Sequence, residues 1–387
     1  MDLMQRYPRV SDLISPARSK LPPIAFTYLS SGTGLGEAKL RNKKCFEEVK
    51  LIPRFLRGRI KPILKTVFLG REYNVPFGIA PIGLQSLIWP GSEKILAKTA
   101  AENNIPYCLS TVANESIERI GEIANELAWF QLYPPDNLNV MQDLLTRAFE
   151  SGIKNLVVTV DVPTQSRREE MRIVGAPLGS RKPMSITPKI FIDCLFHPIW
   201  SINQVNHLIS ERGRLRFKNM EKYNLANKNR EITSYIGKQL NVSFTWDYFK
   251  KIRKYWKGNL IIKGILSVED ASKSISCGAD AIVVSNHGGR QIDAVPSSIE
   301  VLPKIRSAIG NDFNIILDSG VSSGLDIARA IASGANFVLL GRAFMFGVAA
   351  LGKKGGNHVF SILKEELENT MIQLGVEKTK DLKNHLK

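Results

Sequence analysis

The chain has 387 residues, 44% of them hydrophobic and 23% charged, a globular mix that excludes a disordered or collagen-like protein. Lys and Arg outnumber Asp and Glu by 53 to 36, and the formal net charge of +17 creates a long-range field for phosphates, acidic substrates or anionic lipid headgroups. Nucleic acid is not an expected partner, because no zinc-finger spacing, RNP-like aromatic strand or isolated basic helix accompanies the charge.

Residues 1–76 read as short helices packed on the following domain and closing one of its ends. Tyr28, in Leu21-Pro-Pro-Ile-Ala-Phe-Thr-Tyr-Leu-Ser-Ser-Gly32, is placed to reach a site from there. The amino terminus has no apolar signal core, and no run approaches the roughly 18 apolar residues needed to cross a bilayer. Cys45, Cys108, Cys194 and Cys277 are scattered without CxxC pairing or a nearby His, so neither a metal site nor a disulfide framework is expected. A cytoplasmic protein, with peripheral attachment to the inner membrane as an option, fits these features.

From residue 77 onward, short apolar or β-branched runs alternate with helical periodicity, the pattern of a parallel sheet with helices outside. The runs are Phe77 to Pro81, Pro106 to Ser110, Trp129 to Tyr133, Leu156 to Asp161, Leu260 to Gly264, Ala281 to Asn286, Asn314 to Asp318 and Phe337 to Gly341. Eight units predict an α/β fold of the (β/α)8 TIM-barrel type over 77–375, with 376–387 as a tail; a doubly wound open sheet is the alternative. Barrel active sites lie at the carboxyl ends of the strands. Here those ends carry Ser110, Gln131, Tyr133, Thr159, Asp161, Lys263, Ser285, His287, Asp318, Gly341 and Arg342.

Roughly 100 residues separate the fourth and fifth strands, too many for an ordinary connection, which predicts an insertion at about 165–245. Residues 165–235 hold thirteen Lys or Arg against six Asp or Glu. Within them the apolar run Lys189 to Trp200, flanked by Arg181 and Lys182, suits an anionic membrane surface. It equally suits a cover for the active site or a contact with a neighbouring subunit.

His287 and Arg290 in Ser285-Asn-His-Gly-Gly-Arg-Gln291 pair a group that titrates near neutrality with a bidentate fork for a carboxylate. Asp161 is a plausible partner that would fix the imidazole tautomer, and Arg168 a second clamp. Lys263 closes an apolar strand and needs a counter-charge or an electron-rich partner; a Schiff base is one use, and stabilising charge on a reduced flavin is another. The Gly-rich loops after the last two strands, Asp318 to Gly324 and Gly341-Arg342, read as a phosphate site. No GxGxxG fingerprint opens the first unit, which argues against a dinucleotide.

These motifs resemble the FMN-dependent 2-hydroxy-acid dehydrogenase and oxidase family, from Leu21 to about residue 375. The branch of quinone-linked bacterial L-lactate dehydrogenases is most similar, through Ala80-Pro-Ile-Gly-Leu84, Trp129-Phe-Gln-Leu-Tyr133 and Ile262-Lys-Gly-Ile-Leu266. The resemblance implies an FMN enzyme that oxidises an L-2-hydroxy acid, with L-lactate leading. It implies His287 as base with Asp161 supporting it, Tyr28, Arg168 and Arg290 on the carboxylate, and Tyr133 at the hydroxyl. Pro81, Ile82, Gly83, Ser110, Gln131, Thr159, Lys263 and Ser285 would meet the isoalloxazine, and Asp318, Gly320, Gly341 and Arg342 the ribityl phosphate. Hydride transfer to the flavin and initial removal of the C2 proton both remain open; either leaves an imidazolium. A quinone or other acceptor, and a homotetramer, are further implications. Oxygen as acceptor, a mandelate-type substrate and a non-redox Schiff-base isomerase or aldolase are the alternatives. Gly83 and Val112 suggest a roomy substrate pocket. One departure stands out: Gly320-Val321-Ser322 replaces the family's Gly-Val/Ile-Arg, which predicts weaker FMN retention unless another basic group compensates.

Overall fold

The computed structural model describes residues 2–175, 187–210, 217–224 and 244–387. Among them, β1 (Thr66–Phe68) and β2 (Arg71–Tyr73) form an antiparallel hairpin. A closed parallel barrel follows: β3 (Phe77–Ile79), β4 (Tyr107–Ser110), β5 (Ala128–Leu132), β6 (Asn155–Thr159), β7 (Asn259–Ile265), β8 (Ala281–Val284), β9 (Asn314–Leu317) and β10 (Phe337–Leu340), with β10 pairing β3 to complete the ring. Each predicted strand is present to within two residues, and closure removes the open-sheet alternative. Strands covered on both faces need continuous apolar runs, which is why they were easy to locate. Several end a residue or two early, because their polar last residues leave the ladder to form the rim.

The hairpin plugs the amino end. Its turn, Leu69-Gly70, has both residues at positive φ (49° and 80°), a conformation whose twist suits a two-residue hairpin. Phe68 stacks on Phe337 with ring centroids 5.0 Å apart, Tyr73 lies 5.5 Å from the same ring, and Trp129 packs beside all three. The expected helical closure of this end is therefore corrected. Helices Ile14–Lys20 and Pro23–Ser30 lie instead against helix Arg342–Leu351, which leaves β10 at its carboxyl end. Phe26 meets Phe346 there, and Lys20 Nζ donates to the Ala350 carbonyl. Nor is the carboxyl terminus a loose tail: Leu382 is fully buried in the 3-10 turn Thr379–His385, which packs on helix Gly324–Ala332.

In the insertion, helices Pro188–Leu195 and Pro198–Ser210 are anchored by Trp200, whose buried indole donates to the Ile88 carbonyl at 2.9 Å. Phe191, Leu195, Phe196, Ile199 and Ile202 of the same segment face outward. Arg181 and Lys182, expected to flank this run, lie outside the described residues.

Candidate active site

His287 follows β8 at φ 56°, strained for a non-glycine residue. Its Nδ1 meets Asp161 Oδ1 at 2.9 Å, and its N–H donates to Ser285 Oγ at 3.1 Å. An Nδ1–H held by the carboxylate leaves Nε2 as an acceptor on the cavity side. The β7–β8 register shifts at Gly264 (φ 109°), where a Cβ would stand 2.6 Å from Asp161 Cβ; glycine is what lets the carboxylate lie against this bulge. Burial holds His287 below the ordinary imidazole value despite Asp161, with Lys263 and Arg168 adding to the depression. For Asp161, burial acts upward, but His287 and Lys263 bring the net shift downward.

Lys263 Nζ lies 3.2 Å from Asp318 Oδ2 and 4.0 Å from Asp161 Oδ2, and donates to Ser285 Oγ at 2.9 Å. Burial works against its charge, yet the two carboxylates raise its pKa above the usual lysine range. A lysine held protonated this firmly is a poor amine nucleophile, so the Schiff-base alternative loses its residue. Asp318, expected near a phosphate, is turned onto Lys263 and accepts from Ser319 Oγ at 2.9 Å.

Arginines from three elements converge on the same cavity. Arg290 Nη1 donates to the Tyr28 and Ser31 carbonyls at 2.9 and 3.1 Å and lies over the Tyr28 ring. Arg342 donates to the carbonyls of Leu29, Ser31 and Gly288. Arg168 lines the cavity, whereas Arg167 points out onto Glu169. Burial, then Arg168 and Arg342, drive Arg290 well below the usual arginine value, and burial with Arg168 pushes Arg342 down to about 10. A buried cationic group in that condition is stabilised by an anion entering the site. Tyr28 donates to the Gly83 carbonyl at 2.7 Å, and burial raises Tyr133 to about 12, keeping its phenol protonated.

The cavity measures about 950 Å³. Pro81, Ile82, Gly83, Gln131, Tyr133, Thr159, Lys263, Asp318, Gly320, Gly341 and Arg342 line it; Asp161, Ser110 and Ser285 stand behind and hold the lining groups. Ser110 Oγ donates to Gln131 Oε1 at 2.8 Å, but Gln131 Nε2 and Thr159 Oγ1 are buried without partners. Unsatisfied buried polar groups are costly, so a ligand with hydrogen-bonding edges is expected against them. With Lys263 they make a donor set fitted to the polar edge of an isoalloxazine, and the volume admits FMN together with a small acid. Among the described residues, four of the eight non-glycine residues at positive φ, Leu84, Arg168, His287 and Ser319, line this one cavity, concentrating strain where function is expected.

A profile of the FMN-dependent dehydrogenase family matches residues 17–387. The chain belongs to that family. The L-lactate dehydrogenase of Xanthobacter autotrophicus is 34% identical over 373 residues, covering 96% of this chain and 94% of its own length. The (S)-mandelate dehydrogenase of Pseudomonas putida is 32% identical over 96% and 92%. A crystal structure of (S)-mandelate dehydrogenase, described as a monotopic membrane protein, superposes with a TM-score of 0.88 at 31% identity, covering 98% of both chains. This FMN-dependent dehydrogenase has no helix, among its described residues, long and apolar enough to cross a membrane.

Sequence reasoning missed Ser319, whose hydroxyl accepts from the N–H groups of Asn286 and Gly288 and so ties the β8 and β9 loops together. It also missed Lys39 and Lys43, which line the cavity from helix Glu37–Glu48. Their spacing of four residues was the available signal.

Proposed function

We propose that this dehydrogenase oxidises L-lactate to pyruvate with His287 as the base. The observation that carries the reading is the 2.9 Å His287–Asp161 contact beside a cavity into which Arg168, Arg290 and Arg342 converge. His287 Nε2 takes the substrate hydroxyl proton, and the Asp161 carboxylate stabilises the resulting imidazolium. Arg168 and Arg290, with Tyr28, hold the substrate carboxylate, and Tyr133 donates to the hydroxyl oxygen. FMN, when bound, accepts the C2 hydrogen and the electron pair. Gln131, Thr159 and Lys263 would hold its ring edge, with Ser110 and Ser285 orienting them and the Pro81–Gly83 backbone alongside. Asp318 is suited to the ribityl hydroxyls, and Gly320, Gly341 and Arg342 to the phosphate. The similarity to L-lactate dehydrogenases over nearly the whole chain favours lactate. Anaerobic addition of L-lactate is expected to bleach the flavin absorbance. Bleaching by mandelate alone would move the assignment to aromatic acids, and bleaching by neither would refute it.

The outward apolar face around Phe191 and Phe196, on a chain of net charge +17, supports docking on an anionic membrane with a quinone as electron acceptor. Co-sedimentation with anionic vesicles, lost in Phe191→Glu/Phe196→Glu, tests the docking. Rapid reoxidation of the reduced enzyme by oxygen would favour an oxidase instead.

A further inference from the structure

The loop after β9, Asp318-Ser-Gly-Val-Ser-Ser-Gly324, contains no cation, although this is where the fold is expected to help hold a phosphate. Several of its donors are also engaged. Ser322 directs both its N–H and its hydroxyl to Asp326 Oδ2, each at 3.0 Å. Glu366 accepts the Gly324 N–H at 2.6 Å, and Ser323 Oγ accepts that of Asp326 at 3.1 Å. Two carboxylates therefore close the amino end of helix Gly324–Ala332, and a phosphate there would meet like charge.

Positive charge enters from the facing wall. Helix Glu37–Glu48 packs so closely on this loop that a Cβ on Gly320 (φ 96°) would stand 3.0 Å from Asn42 Cβ and 3.1 Å from the Phe46 ring. Asn42 and Asn286 exchange amide hydrogen bonds at 2.8 and 2.7 Å, which fix the helix against the β8 loop. Lys39 and Lys43, one turn apart on this helix, line the cavity together with Ser319 to Ser323, Gly341 and Arg342. Neither forms an ion pair among the described residues. Like charges at this spacing repel each other unless an anion compensates them. Burial, then Arg342, also holds Lys39 below the ordinary lysine value.

We propose that Lys39 and Lys43 neutralise the FMN phosphate, replacing the charge that the β9 loop lacks; this rests on the FMN reading above. The test is titration of the apoprotein with FMN and, separately, with riboflavin, which has no phosphate, followed by flavin fluorescence. Lys43→Met is expected to raise the FMN Kd roughly tenfold and leave the riboflavin Kd unchanged, with Lys43→Arg retaining tight binding. Lys39→Met/Lys43→Met should bind FMN more weakly still and with a smaller salt dependence. Lys43 is solvent-exposed on its helix, so its replacement leaves the fold intact, and a thermal melt checks this. An unchanged FMN Kd in Lys43→Met, or equal weakening of FMN and riboflavin, overturns the proposal while leaving FMN binding in place. A wild-type apoprotein that binds neither flavin overturns the FMN reading itself and the proposal with it.

Discussion

At the amino end of the barrel, Phe68, Tyr73, Trp129 and Phe337 are almost wholly buried and pack ring against ring. At the carboxyl end, Lys263, Asp318, His287, Arg168, Arg290 and Arg342 crowd one cavity with Asp161 behind them, Gln131 Nε2 and Thr159 Oγ1 lack partners, and several residues sit in left-handed backbone. The difference teaches that stability and chemistry are separated along the barrel axis. Apolar burial at one end offsets the desolvation and strain concentrated at the other.

The sharpest way to break this comparison is His287→Asn. It should lower kcat/KM for L-lactate by about 10²–10⁴ while the Tm holds or rises, because Asn tolerates positive φ better than His. A fall in Tm together with activity would mean that the site also supports the fold. At the other end, Phe337→Ala should cost about 3–5 kcal/mol, read from the denaturant midpoint, and leave the kcat of the folded enzyme near wild type.

A pH series sharpens the contrast further. His287 lies below its ordinary value of 6.5, so it stays neutral and active through that pH, and the acid limb of kcat/KM should fall tenfold per unit only at lower pH. The same depression makes the unfolded state take up the proton first. Stability conferred by the neutral imidazole is therefore present above pH 6.5 and declines as pH drops from there through the folded pKa. An acid limb centred above 6.5 would show that Asp161 outweighs burial. The smallest effect is expected from Ser322→Arg, which should shift the FMN Kd by less than about threefold, since Lys39 and Lys43 already supply charge and Asp326 would compete for the new guanidinium.

Much of the carboxyl end was legible because buried parallel strands stand out as apolar runs, and their polar last residues then name the rim. His287, Asp161 and Lys263 were found that way. Choosing Arg168 over its neighbour required family resemblance, since only a backbone at φ 43° turns one inward and leaves the other outside. The hairpin was not legible: three-residue strands carry too little periodicity, and Leu69 at positive φ is no turn signal. Lys39 and Lys43 were hidden in a basic chain, where a lysine pair on a helix reads as a solvated face. Only the close approach of Gly320 to that helix reveals where they point.

Arg290 and Arg342 direct donors to the carbonyls of Tyr28, Leu29 and Ser31, so residues far ahead of the first barrel strand aim one guanidinium proposed for the substrate carboxylate and another proposed for the cofactor phosphate. Topology draws a border at Phe77, but the chemistry crosses it. A minimal catalyst excised at that border would keep its imidazole and lose the brackets for two guanidiniums. The transplantable unit for engineering is the barrel with its leading segment through Glu48.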